Sequence, residues 1–400
     1  MQAPAAATAE PPSTDAASAS TQPTATATPP PPAPVEPPSA PVEPPPAAAA
    51  PTAFAPLKVE SANATLKLGF LAQPQFEAIG NQSPAVTGGS YNLYVRRIRL
   101  LVGGTLFGKF EYFFDTDSPN LFKASAEGAK SAPLFVQDAY VTFKAYEDYF
   151  KVDAGYMLPP LAHNAVQGAG TLYGLDYFAN SFRHANVFNS AGDVGRDAGV
   201  QLRGLVAGGH LEYRVGMFQG LRRPASMTEA SARNFPRVAG RIQINVLDPE
   251  TGFFYAGTYL GTKSVLSFGA SYDTQNDYHH WSVDGFLDLP LGPGTLTAQA
   301  NVVKWNGSDF VALPKQTAFM GEAGYRFDAV QVSPIVRFEY RDAAYQSPAV
   351  PDEARYGLGV AYWPFAHNVN LKAFYNRIQP KPEPLHGYNQ FNLQWQLYFY

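Results

Sequence analysis

Phe391-Asn392-Leu393-Gln394-Trp395-Gln396-Leu397-Tyr398-Phe399 alternates large apolar side chains with amides and a hydroxyl. Extended backbone sends successive side chains to opposite faces, so as a strand this segment has one greasy face and one polar face. Earlier stretches repeat the pattern. Val332, Pro334, Val336, Phe338 and Tyr340 alternate with Gln331, Ser333, Arg337 and Glu339. Val238, Ile242, Ile244 and Val246 alternate with Arg237, Arg241, Gln243 and Asn245, and Leu66, Leu68, Phe70 and Ala72 with Lys67, Gly69 and Gln73. From Ala64 onward, period two is the dominant signal.

A soluble sandwich alternates too. Here, however, the segments run to about ten residues or more, against the usual 5–6 of soluble sheets. Short and long connections also take turns, as in barrels of the outer membrane, and the last strand is rich in aromatics. No run of about 18 apolar residues exists, which excludes a helical membrane span. Only helices and closed barrels satisfy their backbone inside lipid, so a membrane span here would be built from strands. The pattern predicts an all-β fold, a 16-stranded antiparallel transmembrane β-barrel. Its strands fall near 64–77, 91–106, 109–116, 133–144, 149–158, 196–207, 210–219, 237–247, 263–275, 281–290, 294–305, 317–327, 330–341, 354–363, 368–378 and 388–400. Sixteen strands leave an aqueous channel. Short turns at Gly108-Lys109, Tyr146-Glu147-Asp148, Gly208-Gly209, Gly292-Pro293-Gly294 and Phe365-Ala366-His367 would face the periplasm. The long connections 78–90, 117–132, 159–195 and 220–236 would lie outside the cell.

The first 60 residues differ in kind. Seventeen of the 36 prolines precede Leu57, among Ala, Thr and Ser, and Ala33-Pro34-Val35-Glu36-Pro37-Pro38 recurs as Ala40-Pro41-Val42-Glu43-Pro44-Pro45. Such a composition cannot bury enough apolar surface to offset its ordering entropy. Residues 1–60 are therefore expected to be a disordered Pro/Ala-rich periplasmic arm, biased to polyproline II, ahead of a barrel domain at 61–400. The arm reads most simply as a solvated spacer, with peptidoglycan contact as the sharper alternative. The start Met1-Gln2-Ala3-Pro4 has neither a basic region nor an apolar one, so the chain reads as a mature form with an initiator Met. The arm carries five acids and one base, which leaves 28 of each beyond it. That balance gives no nucleic-acid footprint. The absence of cysteine fits a periplasmic or outer-membrane address.

If apolar parity marks lipid, then Arg97, Arg99, Arg203, Arg214, Arg237, Arg241, Arg326, Arg337, Arg341 and Arg355 point inward, and all but the last are the candidate anion-binding set. Residues 181–245 hold nine Arg, no Lys and four acids. A guanidinium stays charged and offers a planar fork to phosphate or carboxylate oxygens. Glu111, Asp138, Asp153, Glu212, Asp284, Asp288, Glu322 and Glu339 share the inward parity, so the arginines could equally hold paired acids. The 37-residue connection 159–195 exceeds ordinary loop lengths. Its Tyr173, Tyr177, Phe178, Phe182 and Phe188 need apolar surface. Folding into the lumen would narrow a pore; packing over the mouth is the alternative.

Tyr94-Val95-Arg96-Arg97-Ile98-Arg99-Leu100, followed by Gly103-Gly104-Thr105-Leu106-Phe107-Gly108, resembles the Arg-rich second strand of the phosphate-selective porins O and P. Gln137-Asp138-Ala139-Tyr140-Val141, Asp153-Ala154-Gly155-Tyr156, Arg196-Asp197-Ala198-Gly199-Val200 and Tyr213-Arg214-Val215-Gly216-Met217-Phe218 are similar to later strands of that family, in the same order. The resemblance spans roughly 62–400. It implies a homotrimer of 16-stranded barrels in the bacterial outer membrane, a third loop folded inward and an arginine ladder guiding small anions. The departure is Tyr400, one residue beyond the apolar parity that ends at Phe399, which would alter recognition by the assembly machinery.

Other constellations are discounted. Asp115-Thr116-Asp117 with Asn120 lacks the spacing of a calcium loop and reads as a solvated turn. His279-His280 is placed in a loop without a third ligand. Asn306-Gly307-Ser308 marks a surface loop at most. Nucleophile elbows, zinc-helix motifs and phosphate-cradling loops are missing, so no catalytic residue, metal or cofactor is assigned. The expected function is passive, anion-biased diffusion of small solutes. The alternatives are a general or sugar-permeable porin, favoured by an aromatic slide that Phe113, Phe218 and Phe374 are too scattered to form, and a plugged structural barrel anchored by its arm.

Overall fold

The computed structural model describes residues 57–80, 88–125, 128–181, 188, 195–222, 235–308, 310–311, 313–344, 351–381 and 385–400. The arm expectation falls on residues 1–56, outside this set, as does Phe182. Residues 57–60, counted with the arm, instead form a short strand.

Seventeen strands make up the sheet: β1 Leu57–Glu60, β2 Ala64–Gly80, β3 Gly89–Leu106, β4 Phe110–Asp117, β5 Phe135–Tyr146, β6 Phe150–Met157, β7 Asp197–Val206, β8 Leu211–Phe218 and β9 Arg237–Asn245. The second half holds β10 Val265–Gln275, β11 Tyr278–Leu291, β12 Gly294–Asn306, β13 Gln316–Phe327, β14 Val332–Ala343, β15 Asp352–Phe365, β16 Val369–Lys381 and β17 Tyr388–Phe399. Each strand from β2 to β17 pairs antiparallel with its chain neighbours, and β17 returns to pair with β2. The result is a closed 16-stranded barrel. β1 lies against the stretch of β2 that β17 leaves uncovered: Leu57 pairs with Leu68, whereas Phe399 pairs with Phe70. The seam between β2 and β17 carries a row of lumenal amides. Gln73 donates to Gln396 (2.8 Å), Gln75 to Asn392 (2.9 Å) and Gln394 to Gln75 (2.8 Å).

The alternation assigns the two faces. Ile242, Ile244 and Val246 are half exposed on the outside, while Arg237, Arg241, Gln243 and Asn245 are at most 2% exposed. Among β17 residues, Trp395 is exposed and Gln394 and Gln396 are buried. Hydrocarbon replaces water on the outer face, so both faces keep suitable surroundings.

Four register shifts interrupt the ladders, and two of them bear on the lumen. Between Ala72 and Pro74 of β2, the partner strand advances from Ile98 to Val95, one residue more. This sets Arg96 and Arg97 opposite Gln73, and both arginines reach the lumen. Between Asp115 and Thr116 of β4, β5 inserts Gln137, and Gln137 and Asp138 are both buried. A bulge re-aims the side chains after it, and these two re-aim theirs into the same region of the pore.

Two expectations are corrected. His279 and His280 lie on β11, because Asn276-Asp277 close the β10–β11 hairpin at once, with Asn276 at φ 49°. His280 is buried with its ring 4.0 Å from that of Trp305. Asp115 and Asp117 are not in a solvated turn: both lie on β4, 1% exposed, and face Arg99.

Candidate functional site

Two segments enter the barrel from opposite ends. From the end opposite the termini comes the connection after β6, described over Leu158–Ser181, with a 3₁₀ turn at His163–Val166. Its apolar side chains sit on lumenal apolar patches. Leu161, Ala165 and Phe178 pack with Tyr278, Val303, Trp305 and Met320, and Tyr173 packs with Ile335, Trp363 and Phe374. Around these contacts the wall supplies polar anchors. The His163 N–H donates to Asp284 (3.1 Å), the Asn164 N–H to Asn301 (3.2 Å) and Gln167 to Gln299 (3.1 Å). Lys372 donates to the carbonyls of Leu172 (2.6 Å) and Gly174 (2.8 Å), and Arg337 to that of Asp176 (2.6 Å). The Asp176 carboxylate accepts from Arg96 Nε (2.7 Å) and from Arg97. Burial would raise this carboxyl, but the two guanidiniums hold it well below the usual carboxylate range. The described part of the long connection, Leu158–Ser181, is thus lumenal.

The second intruder is Val246–Ser264, between β9 and β10. It starts at the end of the barrel where β2 begins and β17 ends, the end at which the five short turns were placed. Tyr255 donates its N–H to Val166 (3.0 Å) and accepts from Gly168 (2.9 Å), and the Gly257 N–H donates to Thr171 (3.0 Å). Glu250, fully buried, meets His163 Nε2 (2.9 Å) and accepts from Gln243 (3.0 Å) and Tyr259 (2.9 Å). The His163 ring is stacked between those of Tyr255 (4.7 Å) and Phe286 (4.5 Å). Backbone pairing between two connections, rather than wall contacts alone, fixes the waist of the pore.

All nine candidate arginines face the lumen, eight of them buried and Arg337 with its side chain 9% exposed, and most of them hold acids. Arg237 grips Asp273 through two bonds (2.7 and 2.6 Å), and Arg241 grips Asp284 likewise (2.7 and 2.8 Å). Arg203 donates to Asp153 (2.8 Å). Arg214 donates to Glu212 (2.8 Å) and to the carbonyls of Phe253 and Gly252. Arg326 donates to Asp328 and the Leu260 carbonyl, and Arg341 to the Pro351 carbonyl. These six brace the wall and the intruding segments. Arg97, Arg99 and Arg337 line a cavity of about 580 Å³ on the side opposite the termini, together with Arg96, Lys123, Arg196 and Arg355. The carboxylates in that wall are Glu77, Asp117, Asp176 and Glu339. Seven cationic and four anionic side chains face the outer chamber, and Asp138, Glu322 and Glu353, the partners of Arg196, Arg337 and Arg355, lie behind that wall.

A second cavity, about 340 Å³, lies between the two intruding segments and the wall nearer the termini. Arg99, Tyr177 and Arg196 belong to the walls of both cavities and stand between them. The inner chamber is aromatic: Phe113, Phe254, Tyr255, Tyr259, Tyr398 and Tyr400 face it. Tyr400 turns inward, with its ring edge-on to Phe113 (5.5 Å), where a Cβ at Gly69 or Gly103 would collide with it.

Sequence parity found the nine arginines but missed Arg96, which the bulge re-aims. It also missed the whole of Val246–Ser264. The one legible trace of the bulge is the step of three from Val95 to Ile98 in an otherwise period-two strand. Nothing in the sequence marks the β9–β10 connection as lumenal, since its partners come from 163–171.

Comparison with curated protein sequences finds no match. Among solved structures, the barrel is similar to the anion-selective porin from Comamonas acidovorans, with a TM-score of 0.54 at 12% identity, covering 84% of this chain and all of that one. The outer membrane channel DcaP of Acinetobacter baumannii gives a TM-score of 0.55 at 12% identity, over 86% of this chain and all of that one. Salmonella typhi OmpF, solved with daunomycin, gives 0.52 at 14%, with the same coverage. At these identities the likeness is one of fold. The family model of the phosphate-selective porins O and P matches residues 80–313, more than half of the chain. The protein is therefore a member of the phosphate-selective porin O and P family, a porin of the bacterial outer membrane.

Proposed function

We propose that this porin passes small solutes by passive diffusion with a bias toward anions, phosphate among them, and that it catalyses no reaction. The observation that carries the reading is the excess of cations lining the outer chamber. A pore selects by the charges along it, and several moderate sites conduct better than one tight site. Arg97, Arg99 and Arg337 are assigned to the anion path with Arg96, Arg196 and Arg355, while Arg203, Arg214, Arg237, Arg241, Arg326 and Arg341 act as braces. The test is the reversal potential of single channels in a KCl gradient. An anion-selective sign is expected, and it should weaken in the Arg96→Gln, Lys123→Gln, Arg355→Gln triple variant. A cation-selective sign, or no conductance steps, would sink the proposal.

The same reading takes the protein as a homotrimer in the bilayer, with residues 1–56 as a periplasmic spacer and peptidoglycan contact as the alternative. Cross-linking in intact outer membrane tests the first by the mass of the largest product. Co-sedimentation with purified sacculi, with and without residues 1–56, tests the second.

A further inference from the structure

We infer that the inner chamber is a subsite for aromatic carboxylates, a deepening of the porin reading on which it rests. The volume of about 340 Å³ lies within the range of about 300–1,000 Å³ typical of small-molecule pockets. Its walls supply rings at steep angles: Phe113 meets Phe254 at 5.7 Å and 65°, and Tyr400 at 5.5 Å and 80°. A planar guest ring finds both edges and faces there, the geometries that aromatic pairs prefer.

At the neck stands the charge such a guest needs. Arg99 is 8% exposed, binds Asp117 at 2.9 Å and faces Asp115 at 3.7 Å, yet its Nε makes no hydrogen bond among the described residues. Asp115 already accepts the Asp138 N–H (2.8 Å). A guest carboxylate at the neck lies against the guanidiniums of Arg99 and Arg196, beside the already engaged Asp115, while its ring lies among Phe113, Phe254 and Tyr398. Acetate has the head without the ring, and an aromatic alcohol has the ring without the charge. Only the aromatic carboxylate uses both. Inorganic phosphate, small and strongly hydrated, passes the chamber without using its apolar wall.

The experiment uses the purified full chain, in planar bilayers and in detergent. Benzoate is expected to half-block chloride current at a roughly tenfold lower concentration than acetate, cyclohexanecarboxylate or benzyl alcohol, the factor that one or two ring contacts give. Calorimetry should show saturable benzoate binding, lost in Phe254→Leu and restored in Phe254→Tyr. Phe254 lies on the inserted connection, so removing its ring leaves every strand pairing intact. Equal block by benzoate and acetate, block by glucose as strong as by benzoate, or full benzoate binding in Phe254→Leu would overturn the subsite. Channels that are absent or cation-selective would instead overturn the anion-porin reading, and calorimetry would still decide the subsite.

Discussion

At Asp176 two neighbouring guanidiniums, Arg96 and Arg97, close on a single carboxylate of the inserted segment. A carboxyl held below its unfolded value adds stability above that value, near 4, and loses it only as pH falls through the lower, folded one. Docking of Leu158–Ser181 through this contact is therefore expected to persist at pH 4 and fail in stronger acid. Conductance recorded from pH 7 to pH 3 should therefore stay steady, whereas in Asp176→Asn the open-channel noise should already rise at pH 7. Arg237 illustrates the bracing role. Fully buried against Asp273, it leaves an uncompensated charge when removed, so Arg237→Ala should cost about 3–5 kcal/mol. Denaturant unfolding of the detergent-solubilised barrel would measure it. The inward position of Arg97 and Arg237 was legible from parity alone. Their partners were not, because Asp176 is fixed by a loop and Asp273 by register, and neither is encoded in a local pattern.

Among the elements, the β9–β10 connection decides most. It enters from the end bearing the termini and joins backbone to backbone with 163–171, so the waist depends on both segments. Replacing 251–257 with a short glycine-rich turn is expected to raise single-channel conductance and weaken whatever discrimination the inner chamber imposes. An unchanged conductance would show that Leu158–Ser181 alone sets the limit. The strands were readable because a lipid-facing side chain at every second position leaves a strong trace over ten residues. Four-residue β1 is too short to leave one, and the bulge at Arg96 and Arg97 leaves only a skipped beat. The aromatic chamber was invisible for a related reason. Phe113 looked isolated along β4, and Phe254 and Tyr400 join it only through the inserted connection and the chain end.

For the molecule as a whole, one side of the wall belongs to lipid. Ile242, 59% exposed on that side, should tolerate Val, whereas Ile242→Arg should cost about 2–4 kcal/mol if it sits near the bilayer midplane. Folding titrations into lipid vesicles measure the difference. The last stitch of that wall is the row of amides joining Gln73 and Gln75 to Asn392, Gln394 and Gln396. Its two halves lie over 300 residues apart in the chain. No shorter, nascent version of the cylinder can satisfy its rims, and an unsatisfied rim is intolerable in hydrocarbon and adhesive in water. Closure must therefore await both β2 and β17, and each unzipped margin needs shielding until they meet.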